Sequence, residues 1–106
     1  MWILRTEDSD EAEALTFRIL PGSIKTIGRA TRADFILDRT MVSRLHCRLT
    51  ATPSGQLEVE DLNSTNGTFV NGRRLIKRTA LSDGDRLRVG RVELVASKPG
   101  LPSTAG

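Results

Sequence analysis

The stretch TFVNGRRLI, residues 68–76, decides the fold. Its central pair, Asn71-Gly72, is a strong short-range signal for a β-hairpin, because both central residues of a type I′ turn need a positive φ angle that Asn and Gly tolerate. Residues 68–70, Thr-Phe-Val, precede the pair, and a return strand is predicted near residues 73–76. This part of the chain is therefore predicted to form two antiparallel strands joined by a two-residue turn.

The same pattern continues on both sides of this hairpin. Gly90-Arg91 separates two alternating runs, residues 86–89 and 92–95, and predicts a last hairpin. No stretch of about ten or more residues repeats its apolar positions at a helical period. Further strands are predicted at residues 2–4, 15–20, 24–27, 35–37, 46–52 and 56–62. About ten short strands without crossover helices indicate an antiparallel β-sandwich or barrel.

The composition is that of one globular domain. Of the 106 residues, 38% are hydrophobic and 27% charged, a balance unlike that of disordered or membrane chains. Two domains in this length would each be too small to form a good core. Residues 98–106 contain Pro99, Gly100 and Pro102 and are predicted to be a linker or flexible tail, so the domain is predicted to span residues 1–97.

Several classes of protein can be set aside. The single cysteine, Cys47, cannot form an internal disulfide, and with one histidine, His46, it does not supply the four ligands of a structural zinc site. No run approaches the roughly 18 apolar residues of a membrane span, and the acidic stretch at residues 7–13 is unlike a signal peptide. An intracellular protein with no metal, no cofactor and no membrane contact is expected.

The charge points to an anionic partner. The chain has 16 Lys and Arg against 13 Asp and Glu, a formal net charge of +3. Thirteen of the 16 basic residues are arginine, whose planar guanidinium offers paired donors that suit phosphate and carboxylate. A phosphorylated protein, a nucleic acid and a membrane surface all satisfy this composition.

Three loops have compositions that suit an anion site. They contain Gly28-Arg29, Ser43-Arg44-Leu45-His46, and Ser64-Thr65-Asn66-Gly67-Thr68 followed by Val70-Asn71-Gly72. Hydroxyls and amides of this kind can donate to an anion while also bonding their own backbone. Taken singly, Gly28-Arg29 is better explained by a solvated surface arginine, and the third loop by a long turn bonded by its own Asx and Ser/Thr side chains.

In this order and spacing the three loops resemble the forkhead-associated (FHA) domain, and the resemblance covers roughly residues 2–96. It implies an all-β antiparallel sandwich of about eleven short strands. It also implies that loops at one end of the sandwich bind phosphothreonine in a partner protein, without catalysis.

The resemblance assigns five residues to the ligand. Arg29 is expected to meet the phosphate, and Ser43 to donate to the same group through both its hydroxyl and its backbone N–H. Thr65 is expected to be a further phosphate donor, and Arg44 to help hold the peptide or phosphate. Asn66 is expected to bond the peptide main chain beside the phosphothreonine and so fix its register.

Further residues are assigned to support and specificity. His46 is expected to pack beneath the loops, while Gly28 and Gly67 allow tight backbone paths. In the loop before Ser43, Arg39 and Met41 are expected to influence the third residue after phosphothreonine, Met41 by accepting an apolar residue and Arg39 by favouring an acid.

Two other features bear on the resemblance. Asn63 stands where the family often has glycine, and no damage is expected because Asn visits the left-handed region more easily than most residues. Residues 1–4, Met-Trp-Ile-Leu, are similar to the start of nibrin-type DNA-repair proteins. That similarity implies a nuclear location, with the cytoplasm as the alternative, although Trp2 is explained equally well as a core residue.

Three rival functions each fit part of the sequence. A catalytic triad of Ser43, His46 and Asp61 is disfavoured, because Ser43 and His46 lie on one segment and nothing resembles a nucleophile elbow. Self-association through phosphorylated Thr6 and the acids that follow it stays open, so the expected assembly is a monomer or a phosphorylation-dependent oligomer.

Direct nucleic-acid binding is the third rival. Its basic candidates are Arg73, Arg74, Lys77, Arg78, Arg86, Arg88 and Arg91. With only 4% aromatic residues the chain has no evident stacking platform for single strands, and no recognition helix is predicted for duplexes. These bases are interpreted as solvated strand faces, and the expected partner is a phosphothreonine-containing protein.

Overall fold

The computed structural model describes residues 1–7 and 14–99, which contain eleven strands and no helix. The strands are β1 (Trp2–Thr6), β2 (Thr16–Ile19), β3 (Ile24–Gly28), β4 (Phe35–Ile36), β5 (Cys47–Ala51), β6 (Leu57–Asp61), β7 (Thr68–Val70), β8 (Arg73–Arg74), β9 (Thr79–Leu81), β10 (Arg86–Val89) and β11 (Val92–Ser97). The acidic residues 8–13 and most of the predicted tail, residues 100–106, lie outside the described residues.

The strands form two sheets. One has the order β2-β1-β11-β10-β7-β8 and the other β4-β3-β5-β6-β9. All neighbours are antiparallel except β3 and β4, which run parallel with Ile27 opposite Phe35. The predicted all-β sandwich of about eleven short strands is confirmed, with this one parallel pair as an addition.

The core is aliphatic and arises from the period-two alternation of the strands. Leu4, Leu87 and Leu94 of the six-stranded sheet and Leu49 and Val59 of the five-stranded sheet are fully buried. Each buried aliphatic side chain of this size contributes roughly 1.5–3 kcal/mol, so the inner faces of the two sheets supply the main stabilisation.

Trp2 belongs to this core. Its side chain is 4% exposed, and the indole Nε1–H donates to the carbonyl oxygen of Gly55 at 2.9 Å. The aromatic residue near the start of the chain therefore has a packing role.

The hairpin that decides the fold forms as predicted. Val70 pairs with Arg73, and the turn residues Asn71 and Gly72 have φ angles of 51° and 83°, both positive as a type I′ turn requires.

Strand β9 was not predicted. Thr79–Leu81 is too short to show an alternating pattern, although Asp83-Gly84 signals a turn just after it. The strand forms because Thr79 and Leu81 pair with Val59 and Leu57 of β6. Pairing with a distant strand thus supplies an element that the local sequence does not announce.

The register brings the candidate loops to one end of the sandwich. Cys47 at the start of β5 pairs with Ile27 near the end of β3 and with Asp61 at the end of β6. Val89 at the end of β10 pairs with Thr68 at the start of β7. The loops beyond these strand ends are therefore neighbours, together with the Gly90-Arg91 turn.

Candidate functional site

The loops enclose an open groove of about 530 Å³. Its lining residues are Arg29, Asp38, Arg39, Thr40, Met41, Val42, Ser43, Thr65 and Asn66. Of the residues predicted from the sequence to touch a ligand, only Arg44 is not among them. Asp38, Thr40 and Val42 were not predicted, since nothing in their residue types distinguishes them from ordinary loop residues.

Gly28 permits the close approach on which the site depends. A Cβ atom at this position would lie 1.9 Å from the carbonyl oxygen of Arg44. The residues that follow then bond across the gap: Arg29 N donates to Ser43 O at 2.9 Å, and Ala30 N donates to Arg44 O at 3.1 Å. The predicted tight backbone path is present, and it fixes the Arg29 backbone against the Ser43 loop.

The Arg29 side chain is held by one nitrogen and presents the others. Its Nε–H donates to the carbonyl oxygen of Val42 at 3.1 Å, while the side chain stays exposed. Among the described residues, no acceptor bonds its two terminal nitrogens. The guanidinium therefore lines the groove with donors available to an anion.

His46 ties two loops together from below. It is 0% exposed; its Nδ1 accepts a hydrogen bond from Ser43 N at 3.0 Å, and its Nε2 lies 2.8 Å from the carbonyl oxygen of Gly67. Because Nδ1 is the acceptor, the neutral ring carries its hydrogen on Nε2 and donates it to Gly67. The position beneath the loops is the one that a structural histidine requires.

Ser43 differs from the prediction in one respect. Its backbone N–H, which the resemblance assigns to the ligand, donates to His46 Nδ1 in this structure. The hydroxyl oxygen accepts from Thr65 N at 3.0 Å, which leaves the hydroxyl hydrogen free to donate into the groove. The next backbone N–H, that of Arg44, has no acceptor within the described part of the chain.

The loop at residues 63–67 is shaped by Asp61. Its carboxylate accepts from Ser64 N at 3.0 Å, Ser64 Oγ at 2.5 Å and Thr68 Oγ1 at 2.6 Å. Ser64 Oγ in turn accepts from Gly67 N at 2.9 Å. Asn63 has a φ of 59°, as expected for a residue standing where glycine is common.

These bonds also govern the ionisation of Asp61. Partial burial alone would raise its pKa, but the hydrogen bonds from Ser64 and Thr68 hold the pKa of this carboxyl below its usual value. The sequence reading had considered Asp61 only as a triad acid. The sequence feature that indicates its structural role is the spacing of Asp61, Ser64 and Thr68, because short polar side chains at this spacing favour side-chain bonding to a local turn.

The backbone of Met41, packed on Gly90, supports the groove beside Asn66. Met41 has a φ of 73°, and its carbonyl oxygen accepts from Asn66 Nδ2 at 3.0 Å. Beneath it lies Gly90: a Cβ there would be 2.7 Å from Met41 O and 3.0 Å from Val42 Cγ2. Sequence reasoning assigned Gly90 only to a turn, since no local pattern shows what packs on it.

The side chains of the three residues considered as a catalytic triad do not bond one another in this structure. Ser43 Oγ bonds Thr65, His46 bonds Gly67, and Asp61 bonds Ser64 and Thr68, so the triad residues are engaged elsewhere. Across residues 1–7 and 14–99, no three His, Cys, Asp or Glu side chains lie together as a metal ion would need. The same residues contain no helix long and apolar enough to cross a bilayer.

Comparison with known proteins gives a family and several relatives. The model of the FHA domain matches residues 25–90. The chain is 42% identical over 81 residues to the ABC transporter ATP-binding/permease protein Rv1747 of Mycobacterium tuberculosis, covering 76% of this chain and 9% of that protein. The chain spans less than two thirds of the length of the curated relatives it matches first.

Two solved structures are similar over almost the whole chain. One, from a structural and functional analysis of phosphothreonine-dependent FHA domain interactions, has a TM-score of 0.81 at 33% identity and covers 94% of this chain and 98% of that one. The other is the FhaA FHA domain complexed with the intracellular domain of Rv3910, with a TM-score of 0.78 at 33% identity, covering 91% and 99%. The nibrin-type similarity of residues 1–4 gains no support from these relatives.

Proposed function

Because the chain belongs to the FHA-domain family, we propose that it binds phosphothreonine in a partner protein and that the groove around Arg29 receives the phosphate. The observation that carries this proposal is the placement of Arg29, Ser43 and Thr65 around one open groove. A guanidinium and two hydroxyls there have donor capacity that the described residues leave unused.

The donor count suits a phosphate dianion. Phosphothreonine carries about −1.5 to −2 charge and three acceptor oxygens. Arg29 offers two terminal nitrogens, and Ser43 and Thr65 offer one hydroxyl hydrogen each. Charge-assisted bonds are worth roughly 1.5–3 kcal/mol each, so three or four of them support micromolar binding, about −8 kcal/mol, after ordering costs.

Asn66 suits the role of a main-chain clamp. Its Nδ2 is fixed by the carbonyl of Met41, which leaves Oδ1 and the second amide hydrogen for the peptide backbone. Arg44 lies outside the groove lining, and we assign its exposed side chain to the flanking peptide and its backbone N–H to the phosphate. Arg39 and Met41 line the groove and remain the candidates for selectivity at the third residue after phosphothreonine.

The function is binding without catalysis. The residues of the only triad considered are bonded to other groups, and burial raises the pKa of the Cys47 thiol, which keeps it from acting as a thiolate nucleophile. The binding unit is assigned to residues 1–97, with residues 98–106 as its linker. We also propose an intracellular location. The prediction of a nuclear location depended on the nibrin-type similarity of residues 1–4, which the relatives do not support.

The partner is proposed to be a phosphorylated protein, as FhaA binds the intracellular domain of Rv3910 in its complex. Direct nucleic-acid binding is less favoured. Among its candidate bases, Arg78 and Arg86 form ion pairs with carboxylates of this chain, and Arg88 lies over the Phe69 ring. Self-association through phosphorylated Thr6 is also less favoured, because Thr6 is a buried residue of β1 and its Oγ1 accepts a hydrogen bond from Leu15 N at 2.7 Å.

A phosphothreonine peptide library, followed by calorimetry, tests the proposal. Arg29→Ala is expected to weaken binding of the selected peptide about 10-fold or more, and Ser43→Ala by a similar factor, since each loses a bond to a charged group. Arg32→Ala is the matched control, because Arg32 is an exposed arginine of the same loop that does not line the groove. Full affinity in both Arg29→Ala and Ser43→Ala would overturn the assignment. Phosphorylation-independent binding to DNA with a steep salt dependence would favour the nucleic-acid alternative.

A further inference from the structure

A second groove, of about 580 Å³, opens at the edge of the sandwich. Its lining residues are Val70, Asn71, Arg73, Arg74, Leu75, Ile76, Lys77, Thr79, Ala80 and Asp85. It lies along β8 and β9, the last strands of the two sheets, and is called the edge groove below. Both strands leave one side without a neighbouring strand, so the groove is accessible along its length.

The edge groove is basic with an apolar wall. Ile76 is 92% exposed. Arg73, Arg74 and Lys77 form no ion pair with any described residue, in contrast to the paired Arg48, Arg78 and Arg86.

The carboxylate that lines the edge groove, Asp85, forms no ion pair with these three cations. Asp85 accepts from Asn71 Nδ2 at 3.0 Å and from Ser82 N at 2.7 Å. Charge on an edge strand discourages strand pairing, which accounts for the arginines but not for an isoleucine left in water among them. Unpaired cations beside exposed apolar surface fit a ligand that is both acidic and apolar.

The edge groove begins where the groove around Arg29 ends. Asn66 lines the first groove and Arg74 lines the second. The residue between them is Gly67, which is covered by Arg74: a Cβ on Gly67 would lie 2.9 Å from Arg74 Nε. A peptide that leaves the first groove past Asn66 therefore meets the Arg74 guanidinium next.

We propose that the edge groove binds a second part of the phosphothreonine ligand, a segment that carries acidic residues and at least one apolar side chain. Carboxylates of this segment pair with Arg73, Arg74 and Lys77, and the apolar side chain packs on Ile76 and Leu75. The inference rests on the proposed function, because the phosphothreonine anchors the ligand and makes the second contact intramolecular. Tethering of this kind raises affinity even when the second contact is weak by itself.

The test compares a short phosphothreonine peptide with the same peptide extended by a tail library of Asp, Glu, Ser, Leu and Phe. Tails of about ten residues, attached before or after the phosphothreonine, span roughly 33 Å when extended and so reach the edge groove. Selected acidic and apolar tails are expected to tighten binding to the wild type about 10-fold or more.

A double variant then tests whether the gain in affinity from the tail depends on the edge groove. Ile76→Ser with Lys77→Glu changes neither the groove around Arg29 nor Gly67, so the short peptide should keep its affinity while the gain from the tail disappears. Ile24→Ser with Lys25→Glu is the matched control, since the same Ile-Lys pair occurs there with Ile24 60% exposed, and it should retain the gain.

The outcomes separate the two proposals. A short phosphopeptide that fails to bind overturns the proposed function. A short peptide that binds, combined with no enriched tail in either direction or with a gain that survives the Ile76 and Lys77 changes, overturns the edge-groove inference alone. Displacement of the tail by a DNA duplex, with the phosphothreonine still bound, would assign the edge groove to nucleic acid and also overturn it.

Discussion

Two turns of this chain use similar residues in different ways. The loop at residues 63–67 begins with Asn63 and ends with Gly67, at φ angles of 59° and 87°; the hairpin turn is Asn71-Gly72, at 51° and 83°. In the hairpin turn, a Cβ on Gly72 would meet no atom within 4 Å. In the loop, Gly67 is buried between Arg74 and the ring of His46.

The two turns differ in the residues that hydrogen-bond to them. The hairpin turn is closed by the pairing of its two flanking strands. Its Asn71 forms exposed side-chain bonds with Asp85 and Arg86, which lie 14 and 15 residues further along the chain. The loop at 63–67 is held by His46 and Ser43, which come from a segment about twenty residues away in sequence. Residue type selects the left-handed backbone in both, but only the loop at 63–67 is joined through the buried His46 to the groove around Arg29.

The largest expected effect is at His46, the residue that joins the loops. His46→Ala leaves the buried Ser43 N–H and Gly67 carbonyl without partners and opens a cavity, so the free energy of unfolding should fall by about 3 kcal/mol or more. Urea denaturation of the wild type and the variant measures this loss. Asn71→Ala, which removes exposed side-chain bonds to Asp85 and Arg86, is the comparison and should cost clearly less; equal losses would contradict the distinction between the two turns.

The two glycines provide a matched pair. Gly67→Ala and Gly72→Ala both place a side chain at positive φ, which costs about 1–2 kcal/mol. Only Gly67→Ala also displaces Arg74 and the wall beside Asn66. Both variants should lose stability, but phosphopeptide affinity should fall about 10-fold in Gly67→Ala and stay within about twofold of wild type in Gly72→Ala. Calorimetry measures the phosphopeptide affinity of the two folded variants. An equal change in affinity would contradict the claim that the loop at 63–67, unlike the hairpin turn, forms part of the binding groove.

Gly90 extends the comparison to a third turn. Gly90→Ala pushes on the Met41 carbonyl that holds Asn66, whereas Gly84→Ala, at a φ of 90° with no neighbour within 4 Å, strains only its own backbone. Gly90→Ala should weaken phosphopeptide binding about fivefold, and Gly84→Ala hardly at all.

A double-mutant cycle shows whether Gly90 acts through Asn66. Adding Asn66→Ala to Gly90→Ala should cost less affinity than the same change does in the wild type. Additive losses would mean that Gly90 affects folding without positioning Asn66.

The smallest expected effect is at Asp61. Asp61→Asn weakens the bonds to Ser64 and Thr68, for a loss of about 1 kcal/mol in this partly exposed position. Because the folded pKa lies below the usual value, the carboxylate stabilises the fold above about pH 3.9 and this contribution disappears as the pH falls through the folded pKa. The difference in unfolding free energy between wild type and variant should therefore shrink in acid, and a difference that grows there would contradict the role of Asp61.

The sequence was most informative where structure is local. The Asn71-Gly72 hairpin, the strands Thr68–Val70 and Arg86–Val89, and the left-handed Asn63 all follow from short patterns. These features depend on backbone preference and alternation, which neighbouring residues determine.

The parts that sequence reasoning missed depend on distant contacts. Thr79–Leu81 is a strand because β6 pairs with it, and Met41 is left-handed without a residue type that favours it. The backbone N–H of Ser43 was assigned to the ligand because its bond to His46 becomes visible only when the loops are brought together.

The central claim is that phosphate on threonine binds between Arg29, Ser43 and Thr65. A crystal structure of the chain with a selected phosphothreonine peptide tests it most directly. The terminal nitrogens of Arg29 and the hydroxyls of Ser43 and Thr65 are expected within about 3 Å of phosphate oxygens, with Asn66 bonded to the peptide main chain. A phosphate bound instead by Arg73, Arg74 or Lys77, with the groove around Arg29 empty, would contradict the account.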